Sequence, residues 1–254
     1  CDETMDIVQE VLPLMESASI KVRGVAREIL LKMCTKQPDL VPEVVGALKK
    51  LLQHDDDEIV ENSCKVVLEL CDETMDIVQE VLPLMESASI KVRGLAREIL
   101  FKMCTKQADS VPEVVGALAK LLQHGDDDIV ENSHQLLIAM GDASMDIVQA
   151  VLPLMESSSF TVRWLASDIL LKMCTKQADL VPEVVGALKK LLQHDDDDIV
   201  ENSCRLVLEL CDETTDIVQA VLPLMESSSF TVRGLARDIL LKMCTKQADL
   251  VPEV

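Results

Sequence analysis

Apolar residues recur along this chain at helical spacing. Ile7, Val8, Val11, Leu12 and Met15 form one series, and Val22, Val25, Ala26, Ile29, Leu30 and Met33 the next. Val41, Val44, Val45, Leu48, Leu51 and Leu52 follow, then Val60, Ser63, Cys64, Val67 and Cys71. Each series fits the i, i+3, i+4, i+7 template of a one-faced helix, and no stretch alternates as a strand would. The pattern predicts two helix pairs, separated by turn signals at Ser17–Ser19, Lys36–Asp39, His54–Asp57 and Asp72–Thr74. Ser19 and Asp39 suit helix N-caps, and Asp55, Asp56 and Asp57 suit a helix N-terminus. Pro42 fits a first turn, whereas Pro13 falls inside a helical pattern and should kink it.

The four-helix pattern then repeats. Residues 1–70 recur as 71–140 and 141–210 and begin again at 211, and the first two copies match at 56 of 70 positions. Each copy has similar halves. Asp6–Val11 echoes Asp39–Val44, and Leu30–Cys34 echoes Val67–Cys71, so the unit is one helix pair of roughly 35 residues. Seven pairs and the start of an eighth are expected across 1–254, as a single stacked array. The chain opens on Cys1 and stops at Val254 within a copy, which suggests a segment of a longer array.

Val11-Leu12-Pro13-Leu14-Met15, followed by Val22-Arg23, Ala26, Leu30 and Met33, resembles a HEAT repeat. Leu48 to Leu52 with Asp57, Glu61, Val67 and Leu70 is closer to an armadillo repeat. The resemblance spans the chain and implies an all-α, right-handed superhelical α-solenoid whose second helices line a concave face. Ser19 stands where HEAT repeats often carry Asp. Lys65 and Glu69, with Glu28 and Lys32 in the other half, stand where peptide-binding armadillo repeats carry Trp and Asn. The Asn ladder of that family is therefore not carried over.

Composition narrows the function. A net charge of −21 argues against a nucleic-acid partner and is compatible with a basic peptide or protein. Aromatics make up 2%, so the core must be aliphatic. The nine cysteines fall on three repeat positions: Cys34, Cys104, Cys174 and Cys244; Cys1, Cys71 and Cys211; Cys64 and Cys204. Helical spacing and an odd count point to small buried apolar groups in a reducing, intracellular setting, cytoplasmic or nuclear. No run has transmembrane length and no signal peptide is visible, so no membrane role is expected.

Catalytic constellations do not emerge, and the sequence predicts neither enzyme activity nor a cofactor or metal. His54, His124 and His194 share one loop position, and His134 replaces Cys64 and Cys204 on a core-facing position. The acidic run His54–Glu58 lacks the alternating oxygens and central Gly of an EF-hand loop and reads as a turn capping a helix.

Differences between the copies carry the functional signal. On the outer side of the second helices, Gly24 becomes Trp164, Arg27 becomes Ser167 and Leu31 becomes Phe101. On the stripe of Glu58, Glu61, Asn62, Lys65 and Glu69, Lys65 becomes Gln135 and Arg205, and Glu69 becomes Ala139. The expected function is protein–protein interaction along this stripe. Its candidates are Arg27, Glu28, Leu31, Glu61, Lys65, Glu69, Arg97, Phe101 and Gln135, with Trp164, Ser167, Asp168, Arg205 and Glu209 in the third copy. The alternatives are a structural array that self-assembles end to end into a rod or filament, a designed or consensus-like array, and, last, an enzyme on a HEAT-like scaffold.

Overall fold

The computed structural model describes residues 2–70, 77–141, 144–210 and 217–248, all within helices or their connections. Cys1, Cys71 and Cys211 lie outside the described residues. The chain divides into two compact units, Cys1–Met140 and Gly141–Val254, and the division falls between the second and third sequence copies.

In the first unit the helices are α1 (Asp2–Val11), α2 (Ile20–Lys36), α3 (Val41–Leu51), α4 (Asp57–Leu70), α5 (Val78–Val81), α6 (Ile90–Lys106), α7 (Val111–Leu121) and α8 (Asp127–Ala139). The second unit holds α9 (Ser144–Val151), α10 (Phe160–Lys176), α11 (Val181–Leu191), α12 (Asp197–Leu210), α13 (Val218–Val221) and α14 (Phe230–Ala248). Within each unit a first helix packs on a second helix, and second helices pack on one another: α2, α4, α6 and α8 in order, then α10, α12 and α14. This is the all-α stacked-pair architecture that the periodicity predicts.

Pro13 acts as expected, with a specific outcome. The α-helix stops at Val11 and a 3-10 segment, Leu12–Glu16, takes over with the proline at its start. A missing N–H and a ring clash forbid the α ladder there, while the tighter turn keeps Met15 buried. The same switch recurs at Leu82–Glu86, Leu152–Glu156 and Leu222–Glu226.

Two caps differ from expectation. Asp39 sits inside a 3-10 turn, Pro38–Leu40, and Leu40 precedes α3 without a side-chain cap. Ser19 occupies the N-cap of α2 but makes no cap bond, although Ser89 and Ser159 accept from the Val92 and Val162 N–H groups at 3.4 Å. The acidic loop does cap. Asp56, Asp126 and Asp196 accept from the backbone N–H two residues on, at 2.8, 2.9 and 2.9 Å. The N–H of each of these aspartates in turn donates to Nδ1 of His54, His124 or His194. The repeated histidine thus closes a turn, and the acids beside it terminate a helix dipole.

Some predicted core positions are open in the first copy. Val25 is 56% exposed and Ile7 48%, whereas Leu165 and Ile77 are buried. α2 packs on α4, and α6 packs on both α4 and α8. The core itself is closed: Leu30, Leu48, Leu52, Ile99, Leu100, Leu118 and Leu122 are inaccessible.

The cysteines behave as apolar groups. Cys34, Cys64, Cys174 and Cys204 are buried, and burial pushes the Cys64, Cys104 and Cys204 thiols up to about 12 and Cys174 up to about 11. Only the thiolate reacts with an alkylating agent. Iodoacetamide at pH 8, read peptide by peptide, should therefore modify exposed Cys244 before Cys64 and Cys204, which stay intact until urea unfolds the chain. Early labelling of Cys64 would contradict this packing.

Candidate functional site

The exposed face of the second helices is built on a repeated polar bracket. Arg23, Arg93 and Arg163 are almost fully buried near the N-termini of α2, α6 and α10. Arg93 donates through Nη1 to the Ser87 carbonyl (2.7 Å) and the Ala88 carbonyl (3.4 Å), and through Nη2 to Asp128 (3.1 Å). Arg163 does the same to Ser157, Ser158 and Asp198, and Arg23 reaches Ser17 and Glu58. Each arginine thus ties its own turn to the start of the next second helix. The recurrence of Arg at 23, 93, 163 and 233 was the available signal for this bracket.

One position of the predicted outer stripe belongs to the interior. Asn62 and Asn202 are buried, and each donates to the carbonyl of the arginine one pair earlier, Arg23 or Arg163, at 3.2 Å. Asn202 also donates to Ser167 Oγ at 2.9 Å. A helical wheel puts this position outside, but a neighbouring helix covers it, and a buried amide then needs partners.

At the far end of the face, Lys102 of α6 donates to the Leu68 carbonyl (2.6 Å) and Lys242 of α14 to the Leu208 carbonyl. These cations sit on the C-terminal ends of α4 and α12, where the helix dipole favours positive charge.

Above this frame, the predicted residues gather in two grooves. In the first unit α6 and α8 enclose about 330 Å³ lined by Arg97, Glu98, Phe101, Gln135, Leu136 and Ala139. Arg97 donates to Gln135 and to Asn132 (3.3 Å), which fixes one wall, and Phe101 supplies an exposed ring. In the second unit α10 and α12 form another groove of about 330 Å³ around Trp164, Ser167, Asp168, Leu171, Arg205 and Glu209. Asn202, Leu206 and Leu208 complete its floor, and Leu235 of α14 its rim. Trp164 is 53% exposed, as the wheel predicted. Asp168 pairs with Lys172 (2.7 Å), and Arg205 with Glu201 (2.7 Å).

The six residues of the first groove map one by one onto six of the second at an offset of 70: 97, 98, 101, 135, 136 and 139 onto 167, 168, 171, 205, 206 and 209. Five of the six differ between the two copies, against 20 differences over all 70 positions. One surface register is therefore a groove twice, with different walls.

The remaining candidates lie at the same register in the first copy. Arg27 donates to Asn62 (3.4 Å), Glu28 pairs with Lys32 (2.6 Å), and Glu61 receives Lys65 and Lys91. The Lys65 hydrogen bond holds the Glu61 carboxyl below its ordinary range. Leu31 is half-buried and Glu69 exposed. Leu206, Leu208 and Leu235 were missed because the floor and rim of a groove are set by how neighbouring helices meet, which a single-helix pattern does not reveal.

His134 is buried at the position of Cys64 and Cys204, as expected. Among the described residues no three His, Cys, Asp or Glu side chains group in a way that could hold a metal ion. No described helix is long and apolar enough to cross a membrane.

No protein-family model matches the chain, and no curated protein matches it by sequence. Solved structures do. Two are crystal structures of engineered proteins from the Northeast Structural Genomics Consortium. One is 16% identical with a TM-score of 0.45, over 80% of this chain and 98% of that one. The other is 15% identical with a TM-score of 0.39, over 94% and 97%. The third is a chain from the complex in which Kap95p binding induces the switch loops of RanGDP to adopt the GTP-bound conformation. It is 14% identical with a TM-score of 0.56, over 97% of this chain and 36% of that one. That likeness shows the fold and only the fold: this chain is an all-α solenoid of stacked helix pairs.

Proposed function

We propose that the chain is a non-enzymatic scaffold of HEAT/armadillo type that binds a peptide or protein partner along the exposed face of its second helices. The observation that carries this reading is the doubled groove. The sequence keeps the frame beneath it and changes its walls. Gly94 gives way to Trp164, Arg97 to Ser167 and Ala139 to Glu209, while Val92, Arg93, Ala96 and Ile99 have identical counterparts at Val162, Arg163, Ala166 and Ile169. Exposed aromatic side chains set in apolar grooves are typical binding anchors. The likeness to a chain of the Kap95p–RanGDP complex fits a protein-binding role. The acidity of the chain favours a partner of basic character in a cytoplasmic or nuclear setting.

The near-identity of the copies favours a second reading, a structural array that grows end to end. Two measurements separate the readings. Immobilised chain and its Phe101→Ala/Trp164→Ala variant are offered the same cell extract, and bound proteins are quantified. Loss of an aromatic anchor should weaken a specific partner by 10-fold or more, as expected from about 2 kcal/mol at a hot spot. Equal capture by both would reject the groove, and concentration-dependent growth of the pure chain in light scattering would favour the array.

A further inference from the structure

In each unit, the edge formed by the N-termini of the second helices carries exposed apolar side chains at an interval of 70 residues. Ile20 is 68% exposed and Ile90 69% in the first unit, and Phe160 69% and Phe230 83% in the second. Isolated exposed apolar residues are ordinary, but a side chain repeated at one register on one edge is not scatter.

The second unit changes this register in two ways at once. Isoleucine becomes phenylalanine, and the lysine that follows it, Lys21 or Lys91, becomes Thr161 or Thr231. Apolar area grows while a cation disappears. The guanidinium carbons of Arg163 and Arg233 lie 6.0 and 5.9 Å from the two ring centres, which supports each ring from within.

Between the two rings stands the acidic loop Asp195–Asp198. Arg163 ties the start of α10 to Asp198 at the start of α12, and Lys242 reaches the Leu208 carbonyl, so α12 and α14 share their C-terminal ends and run parallel. The order along the edge is therefore Phe160, acidic loop, Phe230. Helix spacings of 8–10 Å put the rings about 20 Å apart, with the carboxylates midway.

We propose that this edge of the second unit docks a segment of a protein partner that carries lysines or arginines between two apolar side chains. Charge complementarity selects the occupant. Asp196 caps α12 and Asp198 holds Arg163, but both are exposed, as are Asp195 and Asp197. A span of about 20 Å corresponds to roughly 13 residues of helix. This surface differs from the Trp164 groove. Phe160 stands one turn before Trp164 on α10, but Phe230 is on α14, which gives that groove only Leu235.

The test uses the full chain and a labelled 15-residue peptide with leucine at each end, about four helical turns apart on one side, and lysines between, in fluorescence anisotropy. A peptide with glutamates in place of the lysines is the control. The lysine peptide should bind, weaken with salt, and lose at least 10-fold in affinity with Phe230→Ser and with Asp195→Asn/Asp197→Asn, while circular dichroism stays unchanged. Equal binding of both peptides overturns the proposal, as does affinity unmoved by these variants. If Trp164→Ala alone abolishes binding and Phe230→Ser does not, the peptide belongs to the groove and the edge proposal fails. Dimerisation of the chain that Phe230→Ser abolishes would assign the edge to a second copy and overturn it as well.

Discussion

Arg93→Ala is expected to destabilise the first unit by about 2–4 kcal/mol, far more than loss of its partner. The Arg93 side chain is 4% exposed, while that of Asp128 is 68% exposed. Removing the arginine strips the donors from the Ser87 and Ala88 carbonyls and leaves a gap at the start of α6. Removing Asp128 breaks one mostly solvated ion pair and a favourable charge at a helix N-terminus, each on the order of 1 kcal/mol or less. Arg93→Lys should recover little, because an ammonium cannot span the turn carbonyls and the next helix as a guanidinium fork does. The measurement is urea unfolding of the four proteins, with hydrogen exchange to locate the loss. If Arg93→Ala and Asp128→Ala cost the same, the bracket is only a surface ion pair.

A cavity should cost as much by a different route. Leu100→Ala is expected to destabilise the same unit by about 2–5 kcal/mol, because a close-packed interior cannot refill the space. Leu100 is fully buried on α6, a helix packed between α4 and α8. Its neighbour Phe101 is 39% exposed and lines the groove. Phe101→Ala should therefore cost clearly less stability while weakening partner capture. These two adjacent residues test packing and recognition separately. Because each pair contacts its neighbours in sequence, faster exchange in Leu100→Ala should concentrate in α4, α6 and α8. Uniform acceleration from α1 to α8 would show that the unit unfolds as one cooperative body.

The fold was legible in the sequence because helix pairing is local. Helical periodicity, turn residues and the 70-residue identity place α1–α14 without any knowledge of contacts. Much of the candidate site was legible too, since Phe101 and Trp164 depart from their own copies at positions a helical wheel puts outside. What sequence alone misplaced or missed depends on a second helix arriving. Asn62 looks exposed on its own wheel and is buried by the neighbouring pair. Val25 looks buried on its own wheel and is exposed. The arginine bracket joins residues 35 apart, and the groove around Trp164 needs Leu235 from α14, two second helices away from α10. Periodicity specifies which side of a helix is apolar. Which polar atoms are cut off from water, and which side chains close a groove, is decided when neighbouring helices remove that water, a condition set by tertiary packing.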